Sequence, residues 1–313
     1  MNITILGCGV YGMALAKTFL DKNNKVCIWS KFEKEVIEYE KKYLSLKFTT
    51  DLELAVKGSD LIVIAIPVAF LGDTMKELKE YYMGQDILIA SKGIDTTNKL
   101  FAYEIVKEHL SDVSVGVISG GTFACDMANR KVMGITLATD VDSIRNKVKL
   151  AFESDFLKVQ YIKDIVGVSV CGAIKNVMAI GFGMLDGANY PPSSKFLFLT
   201  EAIYEIRNLI VALGGNIDTV MSYAGIDDIM MTCTSVESRN YTLGSMLGKR
   251  MSNEQISNYK ATTTIEGLGT SKAIYKLAND KNIRLPLSEV IYKILYDNMD
   301  INELVTLLEK RES

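Results

Sequence analysis

The chain has one histidine, His109, at the end of a predicted surface helix and followed by Leu110-Ser111-Asp112. Histidine is the commonest side chain for moving a proton to or from a reacting oxygen, but a solvated one is poorly placed for that work. Lysine is the alternative. Lys175 lies in Val170-Cys171-Gly172-Ala173-Ile174-Lys175-Asn176-Val177-Met178-Ala179-Ile180 and is the single charge in residues 165–184. A lone ammonium in so apolar a helix is costly unless it is paired or neutralised. Burial is expected to push its pKa down toward working pH, as an acid/base catalyst needs. The bland alternative is a lysine whose stem is buried and whose head reaches the surface.

Two other cations stand in suggestive places. Lys92, in Ser91-Lys92-Gly93, follows the predicted strand 87–90, at the carboxyl end where parallel sheets bind ligands. Arg239, in Ser238-Arg239-Asn240, is a cation flanked by two neutral donors, a set that suits a phosphate group. Ser119-Gly120-Gly121-Thr122-Phe123 is a glycine turn at another strand end, with a hydroxyl to face a crevice. Each could equally be an ordinary surface residue or turn.

The sharpest local motif is Gly7-Cys8-Gly9-Val10-Tyr11-Gly12. It follows the strand 3–6 and opens the apolar helix 12–21, as a dinucleotide-binding turn does. Gly7 would allow the tight turn, Gly9 the approach of backbone to a pyrophosphate, and Gly12 the packing of helix on strand. The helix N-terminus then offers free N–H groups and a positive dipole end to phosphate. After the second strand the chain reads Trp29-Ser30-Lys31-Phe32-Glu33. The acid that usually binds a ribose 2′-hydroxyl there is absent at the expected place. Ser30-Lys31 leans the reading weakly toward a 2′-phosphate, hence toward NADP or toward both cofactors, the bland alternative being that Lys31 is merely exposed.

These residues need elements to hold them. Strands are expected at 3–6, 26–29, 61–66, 87–90, 115–119 and 133–138, with helices at 12–21, 34–42, 73–82 and 100–109 between them. Alternation of this kind means a parallel sheet with crossover helices. The charged run 33–42 reads as a solvated helix face. Beyond about residue 165 only helices are expected: 166–183, 197–213, 243–251, 267–281, 287–298 and 302–309. The fold class is therefore α/β: a Rossmann-type parallel-sheet domain over 1–160, then an all-helical substrate and catalytic domain over 161–313.

Composition agrees. The chain has 313 residues, enough for about two domains. It is 48% hydrophobic and 23% charged, so a sizeable core is expected rather than a disordered tail. A net charge of -3 argues against a dedicated nucleic-acid binder, which carries a strongly basic face. Cys8, Cys27, Cys125, Cys171 and Cys233 are odd in number and scattered, which suggests reduced thiols in a cytoplasmic protein rather than a disulfide framework or metal site. The N-terminus opens directly on a strand pattern, without the features of a signal peptide. Residues 165–184 imitate a membrane span. A central lysine costs a transmembrane helix about 2.5–3.5 kcal/mol, so a buried helix is expected and no membrane insertion.

Taken together, the motifs resemble the NAD(P)-dependent glycerol-3-phosphate dehydrogenases of bacteria. Residues 7–12, Ser91-Lys92-Gly93, Gly120-Gly121-Thr122-Phe123-Ala124, Gly172-Ala173-Ile174-Lys175-Asn176, Ser238-Arg239-Asn240 and Ile265-Glu266-Gly267 occur in that family's order. The likeness runs from about residue 2 to 298. It implies hydride transfer between NAD(P)H and dihydroxyacetone phosphate, giving sn-glycerol 3-phosphate for phospholipid synthesis. It implies Lys175 as acid/base, Lys92 at the junction of substrate and nicotinamide, and Asp228 beside the substrate. Gly120 and Thr122 match substrate-contacting positions, and Ser238, Arg239 and Asn240 the substrate phosphate site. Val10, Tyr11, Lys31, Ala124, Arg239, Thr264 and Glu266 match cofactor positions, beside Gly7, Gly9 and Gly12. No metal is implied, and helical second domains of this class often form homodimers.

The chain departs from the family pattern in three places. Gly121 stands where proline is usual. Gly225-Ile226-Asp227-Asp228 has an acid in place of a second glycine. Glu201 aligns where an arginine is often found. These leave open a related lysine-dependent reductase with another, unphosphorylated substrate, against which Ser238-Arg239-Asn240 argues. They also leave open a non-catalytic NAD(P)-binding protein, against which the Lys92 and Lys175 pair argues.

Overall fold

A computed structural model describes residues 1–310, so the last three residues of the 161–313 region lie outside the described chain. Two compact units divide it: 1–92 with 100–165, and 93–99 with the chain from 166 on.

The first unit alternates strands and helices: β1 Asn2–Leu6, α1 Val10–Leu20, β2 Lys25–Trp29, α2 Glu33–Lys42, β3 Lys47–Thr49, α3 Leu52–Val56, β4 Leu61–Ile64, α4 Leu71–Leu78, β5 Asp86–Ile89, α5 Ala102–His109, β6 Val115–Ser119, α6 Ala124–Ala128, β7 Met133–Ala138, α7 Asp142–Ala151 and β8 Leu157–Ile162. The strands form one sheet in the order β3-β2-β1-β4-β5-β6-β7-β8. All neighbours are parallel except β6 and β7. Ile3 of β1 pairs with Val26 of β2 on one side and Leu61 of β4 on the other. Strand order therefore reverses at β1, and the carboxyl ends there form the crevice where such sheets bind ligands.

β4, β5 and β6 are buried along their whole length, which is why they read as continuous apolar runs. The two edge strands escaped the sequence reading. β3 is three residues long with only Phe48 buried. β8 is half exposed and alternates apolar with polar residues. The core continues onto the helices, where Phe19 of α1 meets Phe152 after α7 at a centroid distance of 5.2 Å.

From residue 166 on, the regular elements of the second unit are helices: α8 Ile165–Gly187, α9 Pro192–Ala212, α10 Asp228–Thr234, α11 Arg239–Gly248, α12 Asn253–Thr262, α13 Glu266–Lys281, α14 Pro286–Tyr296 and α15 Asn302–Glu309, with short turns of other helical type at Ile217–Met221 and Tyr223–Asp227. Helix α8 is long and apolar enough to cross a membrane, yet most of it is buried in the protein. Each fully buried aliphatic side chain along it contributes about 1.5–3 kcal/mol. α12 has no buried residue and is held at its start by a reciprocal Ser252/Gln255 cap. It has no apolar stripe to betray it in sequence.

α8 and α11 touch backbone to backbone through glycines. A Cβ on Gly183 would lie 2.2 Å from the Tyr241 carbonyl oxygen, and one on Gly244 would lie 2.0 Å from that of Ile180. This close crossing fixes α11 against the C-terminal half of α8.

Candidate active site

Two groups of side chains form, one in each unit. In the first unit, β1 runs into the glycine turn. Gly7 has φ +116°, and a Cβ there would strike the Ala65 carbonyl oxygen at 2.7 Å; a Cβ on Gly12 would strike the Gly7 oxygen at 2.2 Å. Gly9 is different: a Cβ there meets nothing within 4 Å. Two glycines are thus forced by packing, and the third leaves open space beside the N-terminus of α1. Gly9 is also the N-cap and supplies no capping side chain to the first-turn N–H groups. That is the cradle a pyrophosphate requires, so the residues present fit a dinucleotide.

Lys92, Gly120, Thr122 and Tyr11 gather beside this turn. The Lys92 ammonium donates to the Gly120 carbonyl at 3.4 Å and lies 5.9 Å from the centre of the Tyr11 ring. The Tyr11 hydroxyl and Thr122 Oγ1 share a hydrogen bond of 3.1 Å, and Thr122 N donates to the Gly120 oxygen at 2.8 Å. Gly120 cannot carry a side chain, because a Cβ would lie 2.5 Å from the Gly134 oxygen. Ala124 begins α6, which packs on α1. Val10 and Lys31 are exposed.

In the second unit, the expected lone lysine has a partner. Lys175 is 6% exposed and Asp228 0%, and they form an ion pair. The ammonium also donates to Thr232 Oγ1 at 3.2 Å, and the Thr232 hydroxyl lies 3.2 Å from Asp228 Oδ1. Asp228 and Thr232 are four apart on α10 and so share a face. Burial alone favours a neutral amine, whereas a touching carboxylate favours the ammonium; the downward pull expected of Lys175 is opposed here. Asp228 reaches this position because Gly225, in the preceding turn, has non-helical backbone angles (φ −90°, ψ −108°). A Cβ on Gly225 would lie 2.0 Å from the Val220 oxygen. Cys233 is fully buried, which pushes its thiol well above the usual range.

A polar chain connects the remaining candidates. Asn240 Nδ2 donates to Asn176 Oδ1 at 2.9 Å, and Asn176 Nδ2 donates to Glu266 Oε2 at 3.1 Å. Gly267 N returns a bond to Asn240 Oδ1 at 2.9 Å. Ser238 is the N-cap of α11, accepting from Tyr241 N at 3.3 Å, and Arg239 is exposed in its first turn. The start of α11 therefore offers a cation, a hydroxyl and a helix N-terminus together. Thr264 is exposed just before α13, and Glu201 is exposed on α9.

Three residues were not assigned roles from sequence. Asn176 bridges Asn240 to Glu266, Thr232 braces the ion pair, and Glu35 turns back onto Cys8 and Ser30. Glu35 departs from the expected solvated face of 33–42, where Val36 is the one fully buried position. His109 bonds the Ile105 carbonyl oxygen of its own helix through Nδ1 at 2.9 Å.

Comparison with known proteins places this arrangement. Residues 2–144 match the model of the NAD-dependent glycerol-3-phosphate dehydrogenase N-terminus, and residues 164–306 that of its C-terminus. A glycerol-3-phosphate dehydrogenase [NAD(P)+] of Ligilactobacillus salivarius is 33% identical over 99% of this chain and 97% of its own length. One of Listeria monocytogenes is 33% identical over 99% and 96%. The crystal structure of glycerol-3-phosphate dehydrogenase from Coxiella burnetii superposes with a TM-score of 0.91 at 26% identity, covering 99% of both chains. With full-length relatives at this identity and both halves matched, the chain belongs to the NAD-dependent glycerol-3-phosphate dehydrogenase family.

Proposed function

We propose that the protein interconverts dihydroxyacetone phosphate and sn-glycerol 3-phosphate with NAD(P)H, feeding glycerophospholipid synthesis in the cytoplasm. The observation that carries it is the buried Lys175–Asp228–Thr232 cluster, held in the same unit as the Ser238-Arg239-Asn240 helix start. The first unit takes the cofactor through residues 7–12 and the second takes the substrate.

When bound, the reduced cofactor supplies the hydride for the C2 carbonyl. The chain's own residues do the rest. Arg239, Ser238 and Asn240 hold the substrate phosphate at the N-terminus of α11. Lys175 donates a proton from Nζ to the C2 oxygen as negative charge develops there, and its charge stabilises that oxygen. In the oxidative direction neutral Lys175 takes the proton back. Asp228 and Thr232 hold Nζ in place. Lys92 stands at the junction of substrate and nicotinamide, Gly120 and Thr122 take substrate-contacting positions, and Val10, Tyr11, Lys31, Ala124, Arg239, Thr264 and Glu266 contact the cofactor.

Five free cysteines support a reducing compartment. A homodimer is supported by Leu197, Tyr204 and Val211, exposed apolar residues seven apart on α9. Oxidation of NADPH or NADH, followed at 340 nm with dihydroxyacetone phosphate, tests the reading. Turnover with an unphosphorylated ketone, and none with dihydroxyacetone phosphate, would replace it with the related reductase.

A further inference from the structure

Dinucleotide sites of this architecture distinguish their cofactors at the end of the second strand. A carboxylate there accepts from a ribose 2′-hydroxyl, and a cation there receives a 2′-phosphate. β2 ends at Trp29 and continues as Ser30-Lys31, with no acid in register. The fold supplies one from further on. In the first turn of α2, Glu35 points back so that its Oε2 accepts from Ser30 Oγ at 2.5 Å and from Cys8 Sγ at 2.8 Å. Cys8 lies between Gly7 and Gly9, and both donors are buried, at 3% and 4% exposure. Ser30 Oγ in turn accepts from Phe32 N at 3.2 Å. The carboxylate is therefore pinned where the glycine turn meets the end of β2.

Both donors use Oε2, and Oε1 makes no hydrogen bond among the described residues. The Cys8 thiol is pushed up to about 11 by burial and by Glu35, so it stays a donor and brings no second negative charge. Lys31 is exposed and forms no ion pair with Glu35 among the described residues. It leaves the carboxylate charge uncancelled.

We propose that Glu35 is the cofactor-specificity residue: its Oε1 accepts from the ribose 2′-hydroxyl of NAD(H), and its charge repels the 2′-phosphate of NADP(H). This rests on the dinucleotide reading of residues 7–12 and replaces the lean to NADP that Lys31 suggested. An acid six residues beyond the strand end does the work usually given to one at the strand end.

The test is direct binding to the ligand-free full-length protein, by calorimetric titration with NADH and with NADPH. NADH binds at least about tenfold more tightly than NADPH, the size of one hydrogen bond to a charged group. Glu35→Gln, which keeps an acceptor for Ser30, narrows or reverses that ratio by at least about tenfold. Lys31→Ala leaves NADH still preferred. Tighter wild-type binding of NADPH overturns the proposal without need of any variant. Both dinucleotides binding with an unchanged ratio in Glu35→Gln also overturns it, since Glu35 then only braces Ser30 and Cys8 and the dinucleotide reading survives. Binding of neither removes the dinucleotide reading and this proposal together.

Discussion

The Lys175 ammonium meets the Asp228 carboxylate inside the helical unit, with 8% and 0% of the two side chains exposed. Two buried charges offset their desolvation only when paired and hydrogen-bonded, and removing one partner costs about 3–5 kcal/mol. Lys175→Ala should therefore lose both turnover, by at least about 10²-fold, and stability. The double change Lys175→Met with Asp228→Asn separates the two effects. It should melt close to the wild type in urea yet show no more turnover than Lys175→Ala. A double variant with normal kcat would remove Lys175 from the reaction.

Arg239 is exposed at the start of α11 and is not part of the core. Arg239→Ala should leave stability within about 0.5 kcal/mol. Its KM for dihydroxyacetone phosphate should rise at least about tenfold, the usual worth of a charged hydrogen bond. Steady-state kinetics with an unchanged KM would end its phosphate role.

Gly244 is a packing residue. Gly to Ala within a helix normally gains about 1 kcal/mol. Here the added methyl group would sit 2.0 Å from the Ile180 oxygen, and overpacking of this kind costs about 1–3 kcal/mol. Gly244→Ala should thus lower the denaturation midpoint. Because α11 also carries Asn240, it should raise the substrate KM as well.

Glu205 of α9 is buried and accepts from Leu287 N at 2.7 Å, Ser288 N at 2.9 Å and Ser288 Oγ at 2.6 Å. Burial pushes its carboxyl from 4.5 up to about 7, against the pull of those donors. Between these values the folded protein holds a proton that the unfolded chain has released. Stability is then greatest below about 4.5 for this group and declines as pH rises to about 7, by up to about 3 kcal/mol. Urea melts from pH 5 to 8 should show that decline, and Glu205→Gln should flatten it.

Much of this was legible from residue order alone. The glycine turn, the buried central strands and the helical second half follow from local rules: backbone freedom at glycine, and apolar runs where both faces are covered. The candidates Lys175, Lys92 and Arg239 stand out because each breaks its local pattern, a cation in an apolar helix or at a strand end. The edge strands and α12 leave weak traces, since an element with few buried residues imposes little on composition.

What needed the folded chain was every pairing across distance. Asp228 lies 53 residues from Lys175, and Asn176 is 64 from Asn240 and 90 from Glu266. Glu35 is 27 residues from Cys8 and looked like one more charge on a solvated helix. Residue order specifies which side chains a helix or strand carries and which face is apolar. Which polar groups end up within 3 Å of each other depends on how those elements pack, through contacts such as Gly183 on Tyr241 and Gly244 on Ile180, and no local pattern encodes that.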